Sequence, residues 1–127
     1  MEFNMKDHGF ATTTEYGELN VSTDAEHGFR PFQLMVASIV GCSGSVLKKV
    51  LTKMRVDYSD LTVTARVERN KEKANRIEKL HLHFVISGEN LSQKKIEKAG
   101  AIARKNCGMI QSVQDNIQVT ESFEIVS

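Results

Sequence analysis

Two residues in this chain could carry redox chemistry, and they are its only cysteines. Cys42 lies within Leu34-Met35-Val36-Ala37-Ser38-Ile39-Val40-Gly41-Cys42-Ser43-Gly44-Ser45, and Cys107 closes Ala99-Gly100-Ala101-Ile102-Ala103-Arg104-Lys105-Asn106-Cys107. Both runs read as apolar helix, not loop. Their distance along the chain excludes a local CxxC redox loop and a local zinc knuckle, so any shared chemistry must be assembled by the fold. A thiol pair brought together away from water is the arrangement in which one sulfur attacks a peroxide and the other resolves the product. The same residues also fit a plainer reading as two small buried hydrophobes.

The chemistry sets its own requirements. A thiol reduces a hydroperoxide as the thiolate, leaving a sulfenic acid that a second thiol must reach before further oxidation. Apolar burial raises a cysteine pKa, whereas a helix N-terminus or a neighbouring cation lowers it. A peroxidatic cysteine on a buried helix is therefore expected to import a cation. The sulfurs must also lie near bonding distance.

The elements that would position the thiols are legible in the spacing of apolar residues. Phe3 and Met5 alternate with polar neighbours, Asp7-His8-Gly9 and Tyr16-Gly17-Glu18 are turns, and Phe10 to Glu15 and Leu19 to Ser22 complete a meander of two or three strands. Pro31 supplies the fixed φ of a first helical turn, and the helix should run to about Met54. No charge falls between Arg30 and Leu47, so this helix should be covered all round, by a sheet and a helix or by a second subunit. The run falls short of the ~20 strongly apolar residues that span a bilayer.

Leu61, Val63, Ala65 and Val67 mark a strand with one buried face, Asn70 to Asn75 a charged hairpin loop, and Leu80, Leu82, Phe84 and Ile86 its partner. Asn90 or Ser92 should cap a second helix whose stripe is Ile96, Ala99, Ala103, Cys107 and Ile110, with a break near Gly108. A terminal strand over Ile117 to Ile125 carries a phase shift near Glu121. The order β, β, β, α, β, β, α, β is an α+β fold, and 127 residues leave room for one domain, residues 1–127.

Composition removes several function classes. Seventeen Lys and Arg against 16 Asp and Glu give a net charge of +1, which supplies no field for nucleic acid or an anionic membrane. The first seven residues carry acids and no apolar run, so a cytoplasmic location is expected, where a permanent structural disulfide is out of place. His81 and His83 share a strand face and read as a solvated or subunit-facing polar strip; no metal site is assigned. Met5, Met35, Met54 and Met109 read as core fillers.

The run from Pro31-Phe32-Gln33 through Gly41-Cys42-Ser43-Gly44 resembles the central helix of the OsmC/Ohr family, and the likeness extends through the hairpin to the second cysteine. The resemblance implies an OsmC-like fold in an intertwined homodimer. It further implies a cysteine-based peroxidase for organic hydroperoxides, without metal or organic cofactor and reset by an external dithiol. By that likeness Cys42 attacks and Cys107 resolves, with Arg30, Phe32 and Gln33 as substrate-binding or supporting residues. The chain departs from the family pattern where active members carry a carboxylate after the proline, here Phe32 and Gln33, and no arginine precedes Arg30. Those departures define the alternative: a catalytically weak dimer that binds a small apolar ligand or serves as a redox sensor.

Overall fold

Turn residues cut the N-terminal region into three short strands. A computed structural model, which describes residues Met1–Ser127, contains β1 (Asn4–Lys6), β2 (Gly9–Thr13) and β3 (Glu18–Val21) as an antiparallel meander in the order β1-β2-β3. Gly9 is required at the first turn, because a Cβ there would lie 2.0 Å from the Val21 carbonyl oxygen. This sheet belongs to the first of two compact units, Met1–Ala37 and Ser38–Ser127. It has almost no core: among its apolar residues only Ala11 is buried, while Phe3, Met5 and Phe10 stand exposed.

Helix α1 (Pro31–Lys53) starts at the proline and ends with Lys53 in its last turn, where a cation complements the helix dipole. Its buried residues form one stripe, Ile39, Ser43, Leu47 and Leu51. The expectation that the helix is covered all round is therefore corrected for the single chain. Only the side carrying that stripe is enclosed, and Met35 is 43% exposed. Contrary to the expectation that this run is too short, α1 is by length and composition sufficient to cross a membrane, because the helix continues to Lys53; core helices of globular proteins share that property, and its buried stripe belongs to a packed core.

In the second unit β4 (Asp60–Asn70) and β5 (Arg76–Ser87) form the expected hairpin, closed by Ala74 and Asn75 in the left-handed region (φ 56° and 60°). The terminal strand β6 (Gln118–Val126) lies parallel to β5, giving the order β4-β5-β6. A parallel pair needs a crossover. Helices α2 (Gln93–Asn106) and α3 (Gly108–Val113) lie in that connection. Ser92, not Asn90, caps α2, its side chain accepting the Lys95 N–H at 3.3 Å.

One face of this sheet is apolar. Leu80, Leu82, Phe84 and Ile86 of β5 are each at most 1% exposed. On the other face His81 bonds to Thr120 (2.6 Å) and Ser122 (2.8 Å), and His83 to Ser122 (2.6 Å) and Glu124 (2.9 Å), the polar strip read from the sequence. The methionine expectation fails for Met5, Met35 and Met109, which are 81%, 43% and 40% exposed, because the surfaces bearing them are uncovered in one chain.

Helix α2 seats closely on β6 at Gly100. A Cβ on Gly100 would fall 2.1 Å from Phe123 Cζ, and the Phe123 ring is itself stacked on Phe84 at 5.1 Å. The ring has little room to retreat. Gly100→Ala should therefore lower stability by about 1–3 kcal/mol through overpacking, outweighing the helix-propensity gain of roughly 1 kcal/mol. Urea unfolding measures this, and a stabilised variant would contradict the packing described.

Candidate functional site

The two thiols meet. Cys42 sits on the half-buried flank of α1, one residue before the buried Ser43, and Cys107 is completely buried at the joint between α2 and α3. The Cys107 thiol lies close enough to Cys42 to act as a donor that favours its thiolate. Both cysteines are free and both lie in the Ser38–Ser127 unit. Remoteness along the chain is thus overcome by the crossover, which returns Cys107 to the turn of α1 that carries Cys42.

The local structure at Cys107 places the helix break one residue earlier than expected. Cys107 is not inside the helix; its backbone is extended (φ −86°, ψ 104°), ending α2 and opening α3. Its N–H still donates to the Arg104 carbonyl oxygen (3.4 Å), while its sulfur accepts the Ile110 N–H (3.5 Å) in the manner of an N-cap. The break expected near Gly108 therefore falls at the cysteine itself. One consequence is electrostatic: a new helix begins here, and the N–H groups of its first residues have no intrahelical acceptor.

Those groups serve Cys42. The Met109 N–H, then the Cys107 thiol, hold the Cys42 pKa below the ordinary thiol value, with a smaller contribution from the Gly108 N–H, and together they outweigh burial. None of these groups is a cation. Backbone N–H groups at a helix start thus do part of what a neighbouring cation would do for a thiolate. Cys107 moves the other way: burial pushes its pKa up, and its donated hydrogen bond to Cys42 adds to the rise, against the Ile110 N–H. The pair is polarised, with the negative charge favoured on the more accessible sulfur and the proton retained on the buried one.

The other residues singled out in the sequence lie in the Met1–Ala37 unit. The Arg30 guanidinium lies over the Phe32 ring, 4.8 Å from its centroid, and Gln33 is exposed in the first turn of α1. His27 pairs with Asp24 at 3.0 Å and stacks on His8. The structure thus brings Cys42 to Cys107 and Arg30 to Phe32.

Sequence reasoning missed a second pair. Glu121 faces the core from β6, in phase with Val119, Phe123 and Ile125, and its side chain is only 8% exposed. Its carboxylate lies 3.8 Å from Arg104 Nη1 of α2 and accepts the Ser43 hydroxyl of α1 at 3.4 Å. Burial pushes the Glu121 carboxyl pKa above its ordinary value, opposed by the Arg104 charge and the Ser43 bond. The signal was present as an acid in the apolar phase of a strand. In the sequence it reads as a phase shift, because a charged residue at a core position is rare.

Comparison with known proteins agrees with this architecture. The chain is 26% identical to Protein YhfA of Escherichia coli strain K12 over 98 residues, which is 76% of this chain and 73% of that protein. Its fold matches a hypothetical protein from Aquifex aeolicus VF5 with a TM-score of 0.88 at 22% identity, covering 98% of this chain and 93% of the other. It also matches an organic hydroperoxide resistance protein OsmC from Legionella pneumophila, with a TM-score of 0.76 at 20% identity and coverage of 97% and 93%. The family model described as OsmC-like protein matches residues 23–122, which include both cysteines and the Arg104–Glu121 pair. On that match the chain belongs to the OsmC-like protein family.

Proposed function

We propose that the protein is a thiol-dependent peroxidase that reduces organic hydroperoxides through Cys42 and Cys107. The observation that carries this reading is the polarised thiol pair: a half-buried Cys42 with its pKa lowered by N–H and thiol donors, touching a fully buried Cys107 whose pKa is raised. The likeness in fold to an organic hydroperoxide resistance protein supports it.

In the first step the Cys42 thiolate attacks the outer oxygen of the hydroperoxide. The O–O bond breaks, the alkoxide takes a proton to leave as alcohol, and Cys42 becomes a sulfenic acid. Cys107 then attacks that sulfur, the S–O bond breaks, and hydroxide leaves with the Cys107 proton as water. The resulting disulfide is reduced by an external dithiol through thiol exchange, so each turnover consumes one hydroperoxide and two thiols and yields alcohol, water and one oxidised dithiol. Met109, whose N–H faces Cys42, keeps its side chain 40% exposed, an apolar surface suited to an organic tail.

The working form in this proposal is a cytoplasmic homodimer. Its basis is exposure: a three-stranded sheet with Ala11 as its buried apolar residue, and an apolar helix with one buried stripe, bury too little to stand uncovered. Arg30 engaged with Phe32, in a chain lacking an acid in the first turn of α1, favours the competing reading of a weakly catalytic dimer that binds an apolar ligand or senses redox state.

Three measurements test the proposal. Reduced protein with a dithiol should consume cumene hydroperoxide, and Cys42→Ser should abolish the rate; equal rates in the two proteins would remove the enzyme claim. Thiolate absorbance against pH should show the first thiol ionising below the ordinary value of about 8.5, and Cys107→Ala should raise that inflection by deleting a donor. An inflection at the ordinary value would favour the weakly catalytic reading. Light scattering should give twice the mass of the 127-residue chain, and a stable monomer would contradict the dimer.

A further inference from the structure

The mechanism above uses the two sulfurs and leaves the pairing of the enclosed Glu121 carboxylate with Arg104 unexplained. Inward-facing positions on β6 are otherwise filled by Val119, Phe123 and Ile125, and a carboxylate among them is costly to bury. Stability does not account for it. Burial raises the Glu121 carboxyl pKa, so its contribution to stability is fully present below the unfolded-state pKa and is lost as pH rises through the folded-state value. At neutral pH the ionised group is a cost to the folded state.

Its contacts suggest what it does. One carboxylate oxygen accepts the hydroxyl of Ser43, the residue after Cys42 on α1. The other faces the guanidinium of Arg104 on α2, and the Arg104 carbonyl oxygen receives the N–H of Cys107. A continuous path therefore runs from Cys42 through Ser43, Glu121 and Arg104 to Cys107. It joins α1, β6 and α2, and it closes a ring with the thiol contact itself.

We propose that Glu121 is a positioning residue that clasps the turn of α1 bearing Cys42 to the turn of α2 ending in Cys107, holding the two sulfurs in bonding register. The inference rests on the thiol-peroxidase reading for its purpose, since the resolving step requires the second thiol to reach the sulfenic acid faster than a second hydroperoxide does. Ser43 holds one helix and Arg104 the other, and only a carboxylate in this place accepts from both. Arg104 is 32% exposed, so without its partner it can turn to water and the fold can survive the loss.

The test uses Glu121→Gln, which keeps the shape and a Ser43 bond but drops the charge facing Arg104, with Ser43→Ala removing the clasp from the other side. The disulfide is first equilibrated in glutathione buffers, where oxidised glutathione takes two electrons from the thiol pair and becomes two reduced glutathiones. Both variants should melt cooperatively, with Glu121→Gln at or above the wild-type temperature at pH 7, yet favour the disulfide on the order of tenfold less. With excess cumene hydroperoxide, peptide masses should then show Cys42 diverted from disulfide to sulfinic acid.

Disulfide equilibria within twofold of wild type in both folded variants would overturn the positioning role, as would a loss that appears only where cooperative melting is lost. The glutathione measurement contains no peroxide. A wild-type protein that forms the disulfide but consumes no hydroperoxide would defeat the peroxidase reading alone, whereas normal peroxidase turnover with unchanged disulfide equilibria would defeat the clasp alone.

Discussion

The contact between Cys42 and Cys107 is the constraint around which this fold is organised. It couples two unlike thiols, one half-buried with donors that favour its thiolate, the other fully buried. Local sequence cannot make it, because the two residues belong to separate elements. It exists because β5 and β6 run parallel, which forces a crossover, and because the crossover helix is interrupted at Cys107. That interruption turns the N–H groups of Gly108 and Met109 toward Cys42 while the Cys107 sulfur caps α3. A continuous helix would satisfy these N–H groups within itself and leave the Cys42 sulfur with only its thiol partner.

The surrounding energetics follow from that arrangement. A thiol in an apolar place resists ionisation, and the usual remedy is a neighbouring cation. Here the lowering comes from peptide dipoles and a thiol donor, groups that carry no net charge and need no counter-ion. The one buried acid, Glu121, spans α1 and α2 at Ser43 and Arg104, and Gly100 lets α2 settle directly on the Phe123 ring. Two of these devices, Phe123 and Glu121, stand two residues apart on β6, so one strand fixes both the seating of α2 and the tie between the helices.

Much of this was legible in the sequence. Strict alternation at Leu61 to Val67 and Leu80 to Ile86 gave the hairpin, Pro31 the start of α1, and the stripe Ile96, Ala99, Ala103 the buried side of α2. These are period signals, and they survive folding because each element buries one face. The break at Cys107 was placed one residue late, since glycine is the stronger helix breaker and a cysteine sulfur is an uncommon cap. Glu121 was missed because hydrophobic patterning assigns charges to the outside. The uncovered flanks of α1 mark a further limit: an apolar residue must be buried somewhere, but its pattern does not say by which chain.

The central claim, that this thiol pair is built to react with a hydroperoxide and then with itself, is tested most directly by a single turnover. Fully reduced protein is mixed with one equivalent of cumene hydroperoxide, without a dithiol, and its peptides are mapped by mass. The account predicts one cumyl alcohol released per chain and a Cys42–Cys107 disulfide within that chain. Unconsumed hydroperoxide with both thiols still free, or oxidation confined to Cys107, would contradict it.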